Sequence, residues 1–269
     1  MPLTTKRAPS FEGVAAGQTA TCRLPIGRTF HRLLIPYSGA TLAQLNGVRV
    51  VANGETIHDL GDAAAVVDVL SQYEGRAAFS GVLVIDFDRF GMLTRQGQIL
   101  TALGTGAPND PRPISTLSVE VDIDAAAVAP VLGPIKMIQS AAKPNGLIKK
   151  VKKYTYNAPG AGVYEISDLP KGPIFNKVYF FSPSAVINDI TVERDNFIVF
   201  ERTQAENESI QTDGVRVPQS GLYVYDPTED GYAAEGLVTA GVNDLRFKLN
   251  MAGAGVITAY VETLDTIDG

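Results

Sequence analysis

Two histidines, His31 and His58, are the only imidazoles in 269 residues, so the supply of general bases and metal ligands is thin from the outset. Neither belongs to a His-x-His or His-Glu-x-x-His pattern, the spacings that bring two ring nitrogens to one metal. His31 stands beside Arg32 in a segment read as strand and His58 near the start of a segment read as helix; both are expected to be structural or surface residues. The candidate metal ligands are Asp86 and Asp88 in Val84-Ile85-Asp86-Phe87-Asp88, which the two-residue period of a strand places on one face. Their hard oxygens suit calcium, but that ion takes about six to eight ligands, so a neighbouring subunit would have to complete the shell. A solvated strand face is the simpler reading. No catalytic residue and no cofactor-binding residue is assigned. The chain carries no Gly-x-Ser-x-Gly elbow, Walker A loop or dinucleotide fingerprint, and Ala252-Gly253-Ala254-Gly255 precedes a strand, so it presents no helix N-terminal amides to a phosphate.

The remaining polar signals are weak. Lys149-Lys150-Val151-Lys152-Lys153-Tyr154 is the one basic run. It is read as a solvated edge strand whose lysines discourage strand addition, ahead of a contact with lipid headgroups or nucleic acid. Asn207-Glu208-Ser209 fits a glycosylation sequon but no secretory signal accompanies it. Cys22 is the single cysteine, so no intrachain disulfide is available and the thiol is read as a small apolar strand residue. A net charge of −6 argues against wrapping nucleic acid, whose affinity comes from clustered cations. The first residues, Met1 to Ser10, hold no apolar stretch, which makes synthesis in a cytoplasm the expectation, and Lys6 and Arg7 are the basic residues there.

What positions these residues is a repeat. Leu24-Pro25-Ile26-Gly27-Arg28-Thr29-Phe30 matches Leu169-Pro170-Lys171-Gly172-Pro173-Ile174-Phe175 at Leu, Pro, Gly and Phe, and each copy lies between an alternating segment and an apolar one. Further on, Leu45-Asn46-Gly47-Val48-Arg49-Val50 and Ile187-Asn188-Asp189-Ile190-Thr191-Val192 each read as a turn entering a β-branched strand. A helix is predicted after each, from Ile57, Leu60, Ala64, Val67 and Leu70 in the first half and from Phe197, Phe200 and Gln204 in the second. Leu117 to Ile123 and Val256 to Thr263 alternate strongly and close the two halves. The small, proline-broken stretch from Ala125 to Ala142 is read as a partly helical connector. Short strands separated by turn signals indicate sandwiches. The expected fold class is therefore all-β, two tandem eight-stranded jelly-roll β-barrels with short helices in loops, divided as residues 1–136 and 137–269.

In this order the sequence resembles the major capsid proteins of the corticoviruses, icosahedral phages with an internal membrane. The stretches that carry the resemblance are Val14-Ala15-Ala16-Gly17, Leu24-Pro25-Ile26-Gly27, Tyr37-Ser38-Gly39, Val48-Arg49-Val50, Ala102-Leu103-Gly104-Thr105, Asp122-Ile123-Asp124, Glu165-Ile166 with Asp168-Leu169-Pro170, and the closing strand through Tyr260. Residues 61–98 and 176–245 match poorly. The resemblance implies a non-enzymatic double jelly roll that forms a homotrimer, a pseudo-hexagonal capsomer of the virion. It implies neighbouring trimers, vertex (penton) and membrane-associated virion proteins as partners, contact with the internal lipid membrane, and no specific nucleic acid. It requires no cofactor; structural calcium is associated with lattice stability in such shells, without assignable ligands. The competing reading is a carbohydrate-binding jelly-roll module, disfavoured because the chain has no Trp and its Tyr and Phe are interleaved with apolar strand residues. A metal-dependent enzyme of the cupin type comes third.

Overall fold

The computed structural model describes residues 3–76 and 81–268. In the first half the strands are β1 (Thr4–Arg7), β2 (Thr19–Arg23), β3 (Thr29–Ser38), β4 (Leu45–Ala52), β5 (Glu55–Asp59), β6 (Val82–Asp86), β7 (Leu103–Gly104), β8 (Leu117–Ile123), β9 (Val131–Leu132) and β10 (Lys136–Ser140). The second half contributes β11 (Ile148–Ala158), β12 (Gly162–Ile166), β13 (Ile174–Phe181), β14 (Ile187–Arg194), β15 (Phe197–Thr203), β16 (Leu222–Tyr225), β17 (Leu237–Val238), β18 (Leu245–Met251) and β19 (Gly255–Asp265). The first half pairs as β1-β10-β3-β6 and β2-β8-β4-β5; the second pairs as β11-β19-β13-β16 and β12-β18-β14-β15. Strand for strand the two orders are the same. Apart from the short strands β7 and β9 on β3 and β17 on β13, each half is an eight-stranded sandwich of two four-stranded sheets, so the expected tandem jelly rolls are what the chain forms.

The repeat has a physical basis at the Leu-Pro turn. Gly27 and Gly172 both adopt positive φ, at 102° and 124°, which a side chain would strain. In the first copy the Gly27 amide donates to Thr105 Oγ1 at 2.9 Å, and that hydroxyl donates to the Arg28 carbonyl at 2.7 Å. The second copy repeats both bonds, from the Gly172 amide to Thr239 Oγ1 at 2.8 Å and from that hydroxyl to the Pro173 carbonyl at 2.6 Å. Each threonine follows the short strand, β7 or β17, that pairs with the start of β3 or β13. A buried hydroxyl thus ties the entry of one long strand to a distant loop in both halves.

Several local expectations are corrected by the same symmetry. Asn46 and Asn188 lie not in turns but in β-bulges: the β4–β8 register skips from Leu45 to Gly47, and the β14–β18 register skips from Ile187 to Asp189. The predicted helices begin too early. Asn53-Gly54 and Asp195-Asn196 have positive φ at both positions, the tight-hairpin geometry that turns β4 into β5 and β14 into β15. Ile57 and His58 are therefore strand residues, as are Phe197 and Phe200; the helices follow, as α1 (Ala63–Ala65) running into a π-helical segment Val66–Ser71, and as α3 (Gln204–Gln211), with α2 (Arg95–Ile99) between them. The Val67 side chain lies outside the described residues. Thr203 caps α3 through a reciprocal box with Glu206, which fixes where that helix starts.

The stretch expected as a connector contains β9 and β10, and β10 lies between β1 and β3. The first sandwich thus runs past the 136/137 division to Ser140. Its partner in the second half is β19, while β8 corresponds to β18. Two apolar cores result, and they are not independent. The second core gathers Phe175, Phe180, Tyr225 and Phe247 among others, with Phe247 stacked on Phe175 at 6.2 Å. The first includes Tyr179, Leu222, Val224 and Tyr260, which belong to the other half's strands. The halves also meet edge to edge, because β11 pairs in parallel with β5 at Val151–His58 and joins two four-stranded sheets into one.

Because the threonine links are equivalent and both side chains are buried, Thr105→Val and Thr239→Val should each destabilise by about 1–3 kcal/mol, the range for a buried amide left without its acceptor. Urea denaturation at fixed protein concentration measures both; a large loss in one variant and none in the other would contradict the equivalence.

Candidate functional site at the seam between the sandwiches

The sheet β11-β19-β13-β16 is buried on both faces, and the two faces differ. Along β19, Ile257, Ala259 and Val261 enter the second core, so by alternation Tyr260 and Glu262 turn towards the first sandwich. On β13 a bulge makes Asn176 an extra residue between Phe175 and Lys177, which brings Asn176 and Lys177 both to the side of Glu262. Across from them stand His58 of β5, Tyr73, and Arg89 beyond β6; the loop after α3 adds Arg216 and the end of β16 adds Asp226. All of these are less than 5% exposed.

Two ionic groups occupy the seam. Around Glu262, the Asn176 amide donates to one carboxylate oxygen, Lys149 Nζ lies 3.8 Å from the other, and Arg89 donates to the Asn176 oxygen and to the Ala233 carbonyl at 2.7 Å. Around Asp226, Arg216 Nε donates at 2.9 Å, the Tyr73 hydroxyl at 3.3 Å, and Lys177 Nζ stands 4.0 Å away, over the Phe90 ring. Several of these contacts join the two halves directly: Tyr73 to Asp226, Arg89 to Asn176, and Tyr73 edge-on to Tyr179 at 5.6 Å. His58 Nε2 donates to the Lys149 carbonyl at 2.9 Å, and Lys149 Nζ donates back to the Asp88 carbonyl at 3.1 Å. A cavity of about 40 Å³ lies beside this point, lined by His58, Glu74, Asp86, Lys149 and Glu262.

Burial and charge decide the protonation states. Burial pushes the Glu262 carboxyl up, but Lys149, Lys177 and the Asn176 hydrogen bond outweigh it and hold the group below its ordinary value. Asp86 behaves the same way, with burial opposed by Arg76 and Arg32. Burial, helped by the Lys149 charge, lowers His58 to about 4, so the ring is neutral at pH 7. Burial raises the phenols of Tyr73 and Tyr179. These groups are arranged to be charged in pairs or neutral alone, which fits a structural joint.

The residues singled out in the sequence fall in various places. Asp86 and Asp88 do not form a solvated strand face: Asp86 ends β6, only 8% exposed at its side chain, and is held by Arg76 and by Arg32 Nε at 2.5 Å, while Asp88 lies past the strand. Asp88 accepts from His31 Nδ1 at 2.9 Å, and His31 Nε2 lies 2.9 Å from Ser140 Oγ, so His31 is a buried bridge. Among the described residues no group of three or more His, Cys, Asp or Glu is placed to hold a metal ion. The lysine run is not an edge strand. β11 lies between β19 and β5; Lys149 and Lys150 are buried, with Lys150 Nζ 3.3 Å from Glu55, and only Lys152 and Lys153 are exposed. Asn207 of the sequon is buried and donates to the Val224 carbonyl at 2.9 Å, so it is not presented for modification. Cys22 is fully buried, and burial followed by Glu12 raises its thiol to about 11. Lys6 and Arg7 lie on the exposed strand β1. Among the described residues no helix is long and apolar enough to cross a membrane.

Sequence reasoning missed Arg89, Lys177, Arg216, Asp226 and Glu262. The available signal was a lone charge inside an apolar run, Lys177 in Ile174 to Phe181 and Glu262 in Tyr260 to Leu264. Such a residue on a strand buried on both faces requires a partner.

Comparison with known proteins agrees with this geometry. Residues 5–142 match the family described as viral coat protein P2 N-terminal domain, and residues 148–267 match viral coat protein P2 C-terminal domain. The chain is 29% identical over 174 residues to the major capsid protein P2 of Pseudoalteromonas phage PM2; the matched segment spans 60% of this chain and 59% of that relative's length. The crystal structure of the bacteriophage PM2 major capsid protein P2 superposes with a TM-score of 0.88 at 21% identity, covering 98% of both chains. The major capsid protein of Sulfolobus Turreted Icosahedral Virus gives 0.69 at 10% identity over 98% of this chain and 97% of its own.

Two outcomes follow from the seam. Asp226→Asn removes the buried carboxylate shared by Arg216 and Lys177, leaving Arg216 to its contact with Asp213, and should cost about 3–5 kcal/mol in urea denaturation. His58 takes a proton in the unfolded chain near 6.5 but only near 4 when folded, so its contribution is whole above pH 6.5 and falls away as pH drops towards 4, by about 3 kcal/mol at most. His58→Gln should flatten that decline between pH 6.5 and 4.5; an unchanged slope would remove His58 as its source.

Proposed function

This chain belongs to the viral coat protein P2 family, and from that premise we propose that three copies associate into a ring whose six sandwiches form one nearly hexagonal tile of an icosahedral phage shell around an internal membrane. A coat protein is a structural part of the virion, and the pairs of opposite charge in the seam serve that role without catalysis. The observation that carries the reading is the equivalence of the two halves. The same strand order and the same threonine-locked turn occur twice in one chain. A threefold ring of such subunits presents six similar bodies, so neighbouring tiles meet through similar edges in six directions although only three chains are used.

Rigidity supports the same reading. A subunit whose halves share an apolar core, a buried ionic layer and a continuous sheet keeps a fixed angle between its sandwiches. A flat tile requires that. Neighbouring trimers, a vertex protein and membrane-associated virion proteins are the partners of such a tile. The exposed lysines Lys152 and Lys153 and the basic pair Lys6 and Arg7 supply charge for anionic headgroups. Structural calcium belongs to this proposal only as a bridge between subunits, since Asp86 and Asp88 are already engaged by basic groups within the chain.

Light scattering of the purified chain coupled to size exclusion should give three times the monomer mass of 28.6 kDa, and electron microscopy should show threefold particles with a hexagonal outline. A stable monomer at micromolar concentration, or a dimer, would overturn the proposal.

A further inference from the structure

Outside the seam, one polar cluster is ordered like a proton relay. The pairing of β3 with β10 steps from Arg32–Ile138 to Phe30–Gln139, so His31 is the extra residue of a bulge. Bulges re-aim side chains. Here the imidazole, 4% exposed, reaches in both directions: Nδ1 lies 2.9 Å and 3.1 Å from the two Asp88 carboxylate oxygens, and Nε2 lies 2.9 Å from Ser140 Oγ. An ionised carboxylate only accepts hydrogen bonds, so in the neutral ring Nδ1 carries the proton and Nε2 accepts from the serine hydroxyl. The other charges facing this group are Arg95, whose guanidinium stands 4.0 Å from Asp88 Oδ2, Lys149, whose Nζ donates to the Asp88 carbonyl at 3.1 Å, and Lys143. Ser140 is half-buried at the last residue of β10, where the chain leaves the sheet.

We propose that Ser140 is an activated nucleophile and a site of stoichiometric acylation by esters with good leaving groups, or of phosphonylation by fluorophosphonates. The order carboxylate, imidazole, hydroxyl is the one that makes a serine reactive in hydrolases: the carboxylate fixes the ring tautomer and stabilises the imidazolium, and the ring removes the serine proton. In the acylation step Ser140 Oγ bonds to the ester carbonyl carbon while its proton passes to His31 Nε2. The bond from that carbon to the leaving oxygen then breaks, and the departing alcohol takes the proton from Nε2. A neutral imidazole and a serine ester remain, with no change in oxidation state; with a fluorophosphonate Ser140 Oγ bonds to phosphorus, the P–F bond breaks, and fluoride leaves with the serine proton passed through Nε2. The modification stops at the ester, and the protein remains a structural one. This inference is independent of the assembly proposed above, since it concerns groups within one chain.

The test incubates the purified intact protein with a fluorophosphonate probe and, separately, with p-nitrophenyl acetate, and locates the adduct by peptide mass spectrometry. One equivalent of label is expected on Ser140, with none there in Ser140→Ala. Asp88→Asn keeps the shape of the side chain but no longer enforces the tautomer, and should slow Ser140 labelling at least tenfold; His31→Gln should slow it further. Circular dichroism and size exclusion establish that each variant is folded, and Asp88→Asn decides the matter if His31→Gln is not. Absence of Ser140 labelling in the unmodified protein, under conditions that label a serine hydrolase control, would overturn the proposal. So would labelling of Ser140 at an undiminished rate in Asp88→Asn.

Discussion

The structure depends on one constraint: a sheet buried on both faces must satisfy the charges it carries on one of them. Along β13, β19 and β11 the inner face holds Phe175, Val178, Phe180, Ile257, Ala259 and Val261, and it is closed by the second sandwich's own sheet. The outer face presents Glu262, Lys177, Asn176 and Lys149, which in water would be solvated and in this position are not. Removing an ion from water costs several kcal/mol even after relaxation, so such a face is tolerable only where opposite charges and donors meet it. Part of that supply comes from the second half itself, in Arg216 and Asp226, and part from the first, in Arg89, Tyr73 and His58. The two sandwiches are therefore one folding problem. Apolar residues of the second half, Tyr179, Leu222, Val224 and Tyr260, complete the first core for the same reason.

The edge-to-edge join deals with a different difficulty. An exposed strand edge is a template for unwanted pairing, and a double sandwich begins with several such edges. Placing β11 against β5 consumes two of them at once through a single parallel contact, and the helical segment after β5 lies over the join, where Tyr73 packs on Tyr179. β15 stays an edge strand, and Phe197, Ile198 and Val199 at its start are exposed, with Phe197 75% accessible. A protein that existed alone would pay for such an apolar edge with aggregation, whereas a capsid protein has neighbouring subunits to cover it.

Much of this was legible in the sequence, and what was not has physical causes. The Leu-Pro-x-Gly repeat was readable because a positive-φ glycine and a proline leave few alternatives at a turn, and the tandem architecture, though not the order of strands in the sheets, follows from it. The threonines that lock both turns lie 78 and 67 residues from their glycines, and no local pattern announces them. The helical reading starts too early because Ile57, Leu60 and Ala64 recur at helical spacing, while the Asn53-Gly54 and Asp195-Asn196 dipeptides decide for a hairpin before the helix. The lysine run misled for a related reason. Four lysines in five residues look like a solvated edge, but alternation sends Lys149 to one face and Lys150 to the other, and the strand that carries them pairs with β19 along its whole length. The seam escaped notice because its members are spread from His58 to Glu262 and converge only when both sandwiches are in place.

Why the joint is ionic and not apolar can be argued from geometry. Apolar surfaces attract in proportion to area and tolerate a slip of one residue or a few degrees of rotation. Asn176 cannot slip, since its amide must reach Glu262 while its oxygen receives Arg89, and the bulge that places it exists at one position of β13. The same holds for Asp226, which collects Arg216, Tyr73 and the Lys177 charge from three separate segments. Any rotation of one sandwich on the other would strand several buried polar atoms together, and the cost of each is that of a charge without its partner. A coat protein that packs against other capsid subunits needs its internal angle fixed more than it needs extra stability, and a layer of directional, mutually dependent contacts delivers the first even where an apolar layer would give more of the second.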